Sequence, residues 1–252
     1  MSYEARLEKM GELQAALNKR RKTLIELAVQ DLLFTVRDSA VEVDMTIDRL
    51  RMYEQAGAML ANRVPLGGPG SRVALMLSYN GSAWLNIAIS SIYMVGNKVD
   101  VKFSSKGKDV MGLTEDIYRP IFGEDVTFFK GNGRDFMERS LADPEVSTVV
   151  VFGFDENILP YREAFRRSGK KLVFEGPGQD PFIVFPDADM EMALNDLTVS
   201  KFMYSGQTCT APKRIFIHEE IYDPFLEEFV GRVRRLVVGD PADPRTDVSP
   251  VA

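Results

Sequence analysis

The sequence predicts an α/β protein: a doubly wound parallel sheet preceded by helices and followed by the start of a second α/β domain. Three observations predict it. Residues 3–62 place apolar residues at three- and four-residue spacing, the period of amphipathic helices. Between Arg72 and Glu175, short β-rich runs alternate with helical patterns, as parallel βαβ units do. Beyond Glu175 the alternation restarts with FIVF, a helix, RIFIH and a further helix.

The elements follow in order. LEKMGELQAALNKRRKTLIELAVQDLL reads as one amphipathic helix and AVEVDMTIDRLRMYEQAGAML as another, with Asp38-Ser39 between them as a break or cap. The charged run Lys19-Arg20-Arg21-Lys22 reads as a solvated helix face. Pro65-Leu66-Gly67-Gly68-Pro69-Gly70 marks a loop. After it come RVALMLS and the helix AWLNIAISSIYMVG, then KVDVKF and a helix near 107–122. DVTFFK is followed by GRDFMERSLA, STVVVFG by ENILPYREAFRRSG, and KLVFEG closes the series. The second domain opens with FIVF and a helix from about Asp189 to Met203. A loop holding Cys209, the strand RIFIH and the helix YDPFLEEFVGRVRRL follow. In a Rossmann-like sheet of this kind ligands bind beyond the carboxyl ends of the strands. The loops after Leu77, Lys102, Lys130, Phe152 and Phe174 are therefore the places to look for a site.

Composition excludes several classes. A formal charge of −6 lacks the basic surface that phosphate backbones require, so no nucleic-acid partner is expected. The most apolar stretch, 73–95, is broken by Ser78, Tyr79, Asn80, Gly81 and Asn86, and so does not read as a membrane span. One cysteine cannot close an internal disulfide, and one histidine, His218, argues against a zinc site; no metal is expected. The charged, helical first 22 residues do not read as a signal peptide, so a cytoplasmic location is expected.

Three residues could carry chemistry. Cys209 lies in YSGQTCTAPKR; a lone cysteine is usually a small core residue, but this segment is loop-like and would expose the thiol. Glu175 ends the strand KLVFE at the edge of the expected crevice, as a general base or as a turn-capping carboxylate. Asn80 follows the strand RVALMLS, either as an oxyanion donor or as the first half of an Asn-Gly turn.

Taken together, these residues resemble a known family. Glu175 and Cys209, with FEGPGQDPFIVFPDADMEMAL and SGQTCTAPKRIFIHEEIYDPF around them, are similar to the E-L-G-G-K-x-P-x-I-V-x-x-D-A-D and N-x-G-Q-x-C segments of the aldehyde dehydrogenase superfamily. Upstream, GNKVDVKFSS resembles the family's G-N-x-V-V-x-K-P-S-E, FKGNGRDF its G-x-G loop, and VVVFG its F-T-G-S segment. Downstream, VGDPADPRTDVSP resembles G-D-P-x-x-x-x-T-D-x-G-P. The resemblance covers nearly the whole chain.

It implies an NAD(P)-binding domain over 1–174 and the first part of a catalytic domain over 175–252. It implies a small-molecule aldehyde as substrate, Cys209 as nucleophile, Glu175 as the base that activates water, and Asn80 as oxyanion donor. A cofactor site would comprise Tyr79, Lys102, Ser105, Gly133, Phe152, Gly153 and Phe154. Ser105, followed by Lys106, stands where NAD-preferring members carry a glutamate, which favours NADP over NAD. Three positions depart from the pattern: Phe154 replaces a serine, Pro177 a glycine, and Tyr79 a tryptophan. Phe154 and Pro177 also fit an alternative, a non-catalytic relative or fragment with a degenerate cofactor site. A reductase acting on acyl-CoA or acyl-phosphate is disfavoured by Glu175. Family chains continue well beyond this length, and the full-length form is expected to be a homo-oligomer.

Overall fold

A computed structural model describes residues 1–60, 70–80 and 86–251. Positions 65–69 of the loop signal, Gly81, and the first residues of AWLNIAISSIYMVG lie outside that set. The chain separates into two compact units, one of residues 1–32 and 40–176, the other of residues 33–39 and 177–252.

The first unit begins with α1 (Tyr3–Leu32), whose Met10, Leu13, Leu17, Leu24, Ala28 and Leu32 are buried at helical spacing. Five strands follow: β1 (Arg72–Met76), β2 (Lys98–Lys102), β3 (Val126–Phe128), β4 (Val146–Phe152) and β5 (Lys171–Glu175). All neighbours pair in parallel, in the order β3-β2-β1-β4-β5. The chain therefore winds outward from β1 to β3 and crosses back to β4, which makes the β1/β4 boundary the switch point of a doubly wound sheet.

Alternation along the strands divides the core in two. Leu75, Leu77, Val99, Val101 and Val126 pack with α1, α4 (Asn86–Met94) and α5 (Lys108–Phe122). Ala74, Val149 and Val151 pack with Phe136 and Met137 of α6 (Gly133–Ala142) and Phe165 of α7 (Arg162–Ser168). Side chains of α1 also serve its neighbours. The Arg6 guanidinium donates to the carbonyls of Tyr93 in the last turn of α4 and Gly96 just past it, and the Asp31 carboxylate accepts from the Asp109 and Val110 N–H groups that open α5.

In the second unit β6 (Pro181–Val184) and β7 (Arg214–Ile217) form a parallel pair. Val184 packs with Leu194 and Leu197 of α8 (Met190–Phe202) and Phe225 of α9 (Tyr222–Arg235). Asp189 caps α8 by accepting from the Met192 N–H at 2.9 Å. Ile183, Phe185 and Phe216 remain exposed.

Three local expectations are corrected. The break after α1 lies at 33–35, not at Asp38-Ser39: Leu33 is left-handed, and the Thr35 hydroxyl caps α2 (Val36–Leu50) by accepting from the Asp38 N–H at 3.1 Å. The second N-terminal helix is interrupted at Arg51, after which α3 (Met52–Leu60) begins. Only the end of ENILPYREAFRRSG forms an α-helix; 155–161 makes two 3₁₀ turns, the first closed by Asn157, whose side chain accepts from the Phe154 N–H. Among the described residues, no helix is long and apolar enough to cross a membrane.

Candidate active site

The first unit gathers nine of the ten expected site residues at the carboxyl ends of its strands. Tyr79 and Asn80 follow β1, Lys102 ends β2, Ser105 opens the next turn, and Gly133 begins α6. Phe152 ends β4, with Gly153 and Phe154 beyond it, and Glu175 ends β5 directly opposite Phe152 in the register. Backbone bonds continue the ladder into these loops: Leu77 N–H to the Lys102 carbonyl at 2.8 Å, and Gly153 N–H to the Glu175 carbonyl at 3.0 Å.

Each loop has its own chemistry. The Asn80 side-chain oxygen accepts from the Ser78 hydroxyl at 2.6 Å, which holds the amide just past β1. Lys102 is buried; its ammonium donates to the Phe103 carbonyl, and desolvation pushes its pKa down. The Lys106 ammonium lies 4.4 Å from the centroid of the Tyr79 ring, a cation–π contact across two of the loops. Lys106 therefore has a place in the structure that its sequence position did not reveal. A Cβ on Gly133 would make only ordinary contact with Met76, whereas one on Gly153 would sit 2.7 Å from the Asn157 side-chain oxygen. A side chain at 153 would therefore press on the Asn157 side chain that closes the turn, and the neighbouring Phe154 ring is turned out to solvent.

The tenth residue, Cys209, belongs to the second unit, where it is exposed. The chain reaches it through three consecutive left-handed residues: Tyr204 at φ 52°, Ser205 at φ 56° and Gly206 at φ 74°. For a residue with a Cβ that conformation costs about 1–2 kcal/mol, so Tyr204 and Ser205 need compensation. They have it. The Tyr204 N–H donates to the Asp38 carboxylate at 3.0 Å, its ring meets Phe34 edge-on at 5.0 Å, and its carbonyl accepts from both the backbone and the side chain of Gln207. The Ser205 hydroxyl bonds the hydroxyl and N–H of Ser249, and the Ser249 hydroxyl donates to the Leu33 carbonyl.

Beyond the cysteine, the Lys213 ammonium donates to the carbonyls of Thr208 and Ala211, at 3.2 and 3.0 Å. The backbone at Gly178, itself left-handed at φ 75°, passes so close that a Cβ there would lie 1.9 Å from the Cys209 carbonyl oxygen. Nothing in the local sequence marks Gly178 as a support for Cys209. Asp38 reads locally as a helix break or cap, and nothing in the local sequence marks Asp38, Ser249 or Lys213 as supports of this loop. Tyr204 is buried. Among the described residues no group of three or more His, Cys, Asp or Glu side chains could hold a metal ion.

A five-stranded, doubly wound parallel sheet with polar loops at its switch point defines a Rossmann-like α/β protein, here joined to a unit that presents an exposed thiol on a braced loop. Comparison with known families matches residues 1–252 to the aldehyde dehydrogenase family, and the chain belongs to that family. A succinate-semialdehyde dehydrogenase [NADP(+)] of Mycobacterium leprae (strain TN) is 34% identical over 202 residues, covering 78% of this chain and 43% of the relative. A protein of the same description from Mycobacterium avium (strain 104) is 39% identical over 116 residues, 46% of this chain and 25% of the relative.

Solved structures share the fold. An oxidoreductase from Marinobacter aquaeolei superposes with a TM-score of 0.88 at 21% identity, covering 100% of this chain and 55% of the other. A betaine aldehyde dehydrogenase from Staphylococcus aureus, in complex with NAD+, gives 0.85 at 20% identity, covering 100% and 53%. The chain spans about half the length of these structures.

Proposed function

We propose that this chain is the cofactor-binding and nucleophile-bearing part of an enzyme that oxidises an aldehyde to a carboxylic acid with NADP or NAD. The observation that carries the reading is the Cys209 loop: an exposed thiol on a backbone held in a costly conformation by Asp38, Ser249 and Gln207. Strain maintained by so many bonds is the mark of a positioned group.

In this reading Cys209 attacks the aldehyde carbonyl as a thiolate, forming a thiohemiacetal. The Asn80 amide and the Cys209 N–H donate to its oxyanion. Tyr79, Lys102, Ser105, Gly133, Phe152, Gly153 and Phe154 hold the dinucleotide, whose nicotinamide, when bound, supplies a two-electron acceptor for the substrate hydride. Glu175 takes a proton from the water that hydrolyses the resulting thioester, releasing the acid and restoring the thiol.

Ser105 in place of a carboxylate, with Lys106 held over Tyr79 beside it, supports NADP over NAD. The 34%-identical relative, named for succinate semialdehyde and NADP(+), makes that pair the first to test. A homo-oligomeric, cytoplasmic full-length enzyme belongs to the same reading, and a single unpaired cysteine suits a reducing compartment.

The test is titration of NADP and NAD into the chain by calorimetry, with iodoacetamide labelling of Cys209 followed in each state. Binding that changes the labelling rate, and aldehyde-dependent NADPH formation abolished by Cys209→Ala, is the expected result. A second reading, a non-catalytic relative with a degenerate cofactor site, draws on Phe154, whose side chain is 59% exposed where the family carries a serine. No binding of either nucleotide, with labelling unaffected, selects it.

A further inference from the structure

We propose that Asp38 is a positioning residue for Cys209, acting through the left-handed run 204–206; this deepens the proposed role of Cys209 and rests on it. The segment 33–39 and the cysteine loop belong to the same unit although about 170 residues separate them, and the contacts between them converge on the strained residues. Tyr204 is engaged twice, by the Asp38 carboxylate at its N–H and by Phe34 at its ring. Ser205 is engaged through Ser249, whose hydroxyl also donates to the Leu33 carbonyl.

Asp38 is the critical member because of what it gives up. Its side chain is buried, with 6% of the residue exposed, and burying a carboxylate is costly unless its charge is used. The neighbouring guanidinium of Arg37 bonds Asp247 at 2.8 Å. The charge on Asp38 faces the Thr35 hydroxyl and the Tyr204 N–H. A bond from a backbone N–H to a carboxylate is among the stronger ones. Here it holds the first residue of a turn that neither Tyr nor Ser adopts readily, and Gln207 ties that turn to the cysteine by bonding the Tyr204 carbonyl.

The experiment compares the full chain with Asp38→Ala and Asp38→Asn; the Asn variant keeps the accepting oxygen without the charge. Two readouts are taken: amide hydrogen exchange across the molecule, and the rate of iodoacetamide labelling, which reports Cys209 alone because it is the one cysteine. With Asp38→Ala, exchange should rise about tenfold over 203–209 but not in α8 or α9, as expected for loss of one charge-assisted bond. Labelling should change severalfold, and Asp38→Asn, which keeps a neutral acceptor, should restore both in part. A uniform rise in exchange with unchanged labelling would make Asp38 an ordinary structural residue and overturn the proposal. So would failure of Asn to rescue, or no change at all.

Should Asp38→Ala fail to fold, Ser249→Ala, which loosens the same turn through Ser205, must give the same local pattern, and a uniform or absent response in that variant refutes the proposal. Neither readout needs turnover. If the exchange and labelling pattern appears but neither nucleotide binds, the dehydrogenase reading fails and the positioning role stands.

Discussion

Gly178→Ala tests the structure of the cysteine loop where one methyl group has the largest effect. Two costs add. Gly178 sits at φ 75°, where a residue with a Cβ is disfavoured by about 1–2 kcal/mol. Its new Cβ would also lie 1.9 Å from the Cys209 carbonyl oxygen and 2.8 Å from the carbonyl carbon. Real Cβ contacts stay beyond 3.0 Å, so the two backbones must separate by about 1 Å. Forcing such a shift in packed structure costs about 1–3 kcal/mol, giving a total of about 2–5 kcal/mol.

Gly169→Ala is the matched control. It has φ 67° but nothing within 4 Å of its Cβ, so it carries the conformational cost alone. Chemical denaturation of the two variants separates the terms, and iodoacetamide labelling reports where the strain goes. Gly178→Ala should lose at least about 1 kcal/mol more than Gly169→Ala and alter the Cys209 labelling rate, while Gly169→Ala leaves that rate alone. Equal losses with identical labelling would mean that the Gly178 turn does not press on Cys209, and the account of the loop would fall.

Introducing the missing carboxylate with Ser105→Glu should weaken NADP binding about tenfold or more and spare NAD, since like charges a few ångströms apart near a protein surface repel by kcal/mol amounts; calorimetry reads it, and equal loss of both nucleotides would refute the assignment. Phe225→Ala, which empties the fully buried centre of the second unit, should cost about 3–5 kcal/mol by urea denaturation, and a loss under about 1 kcal/mol would contradict that core. Asp38 and Asp247 should respond to pH in opposite directions. Burial raises the Asp38 pKa above 3.8, against the opposing bonds from Thr35 and Tyr204, so its contribution is full below 3.8 and lost as pH rises through the folded value; Asp38→Asn should gain relative stability with rising pH. The Val237 N–H and then Arg37 lower the Asp247 pKa below 3.8, so its contribution is present above 3.8 and lost as pH falls through the folded value; Asp247→Asn should lose most near neutrality and least in acid, and parallel trends for the two variants would refute both assignments.

The sheet was legible because its information is local. RVALM and STVVVF alternate at a period of two between two cores, KVDVK sends both valines into one of them, and the carboxyl end of each run fixes where its loop must open. Glu175 could be placed at a strand end, and Asp189 at a helix start, from a handful of neighbours each. The helix breaks depend instead on distant partners. Thr35 and Asp38 are both good capping residues, and which one caps depends on what else needs the Asp38 carboxylate. That competitor is the N–H of Tyr204, 166 positions away. Lys106 over Tyr79 and Gly178 against Cys209 were hidden in the same way, by contacts between loops that no periodicity encodes.

The left-handed turn before Cys209 has a physical meaning. Among the described residues three non-glycine positions have positive φ: Leu33, Tyr204 and Ser205. Propensity would put none of them there. All three belong to the second unit, and one path of hydrogen bonds joins two of them, from the Leu33 carbonyl through the Ser249 hydroxyl to the Ser205 hydroxyl, while Asp38 holds the third. Strain scattered at random would not be connected in this way. Connected, it behaves as a single element: relaxing the turn at Tyr204 removes the reason for Asp38 to be buried, and releasing Ser205 frees the hydroxyl that holds Leu33. Local preference is overridden in the loop that carries the thiol and at Leu33, which is tied to it through Ser249, and a fold that positions a nucleophile has reason to depart there from the conformations its residues prefer.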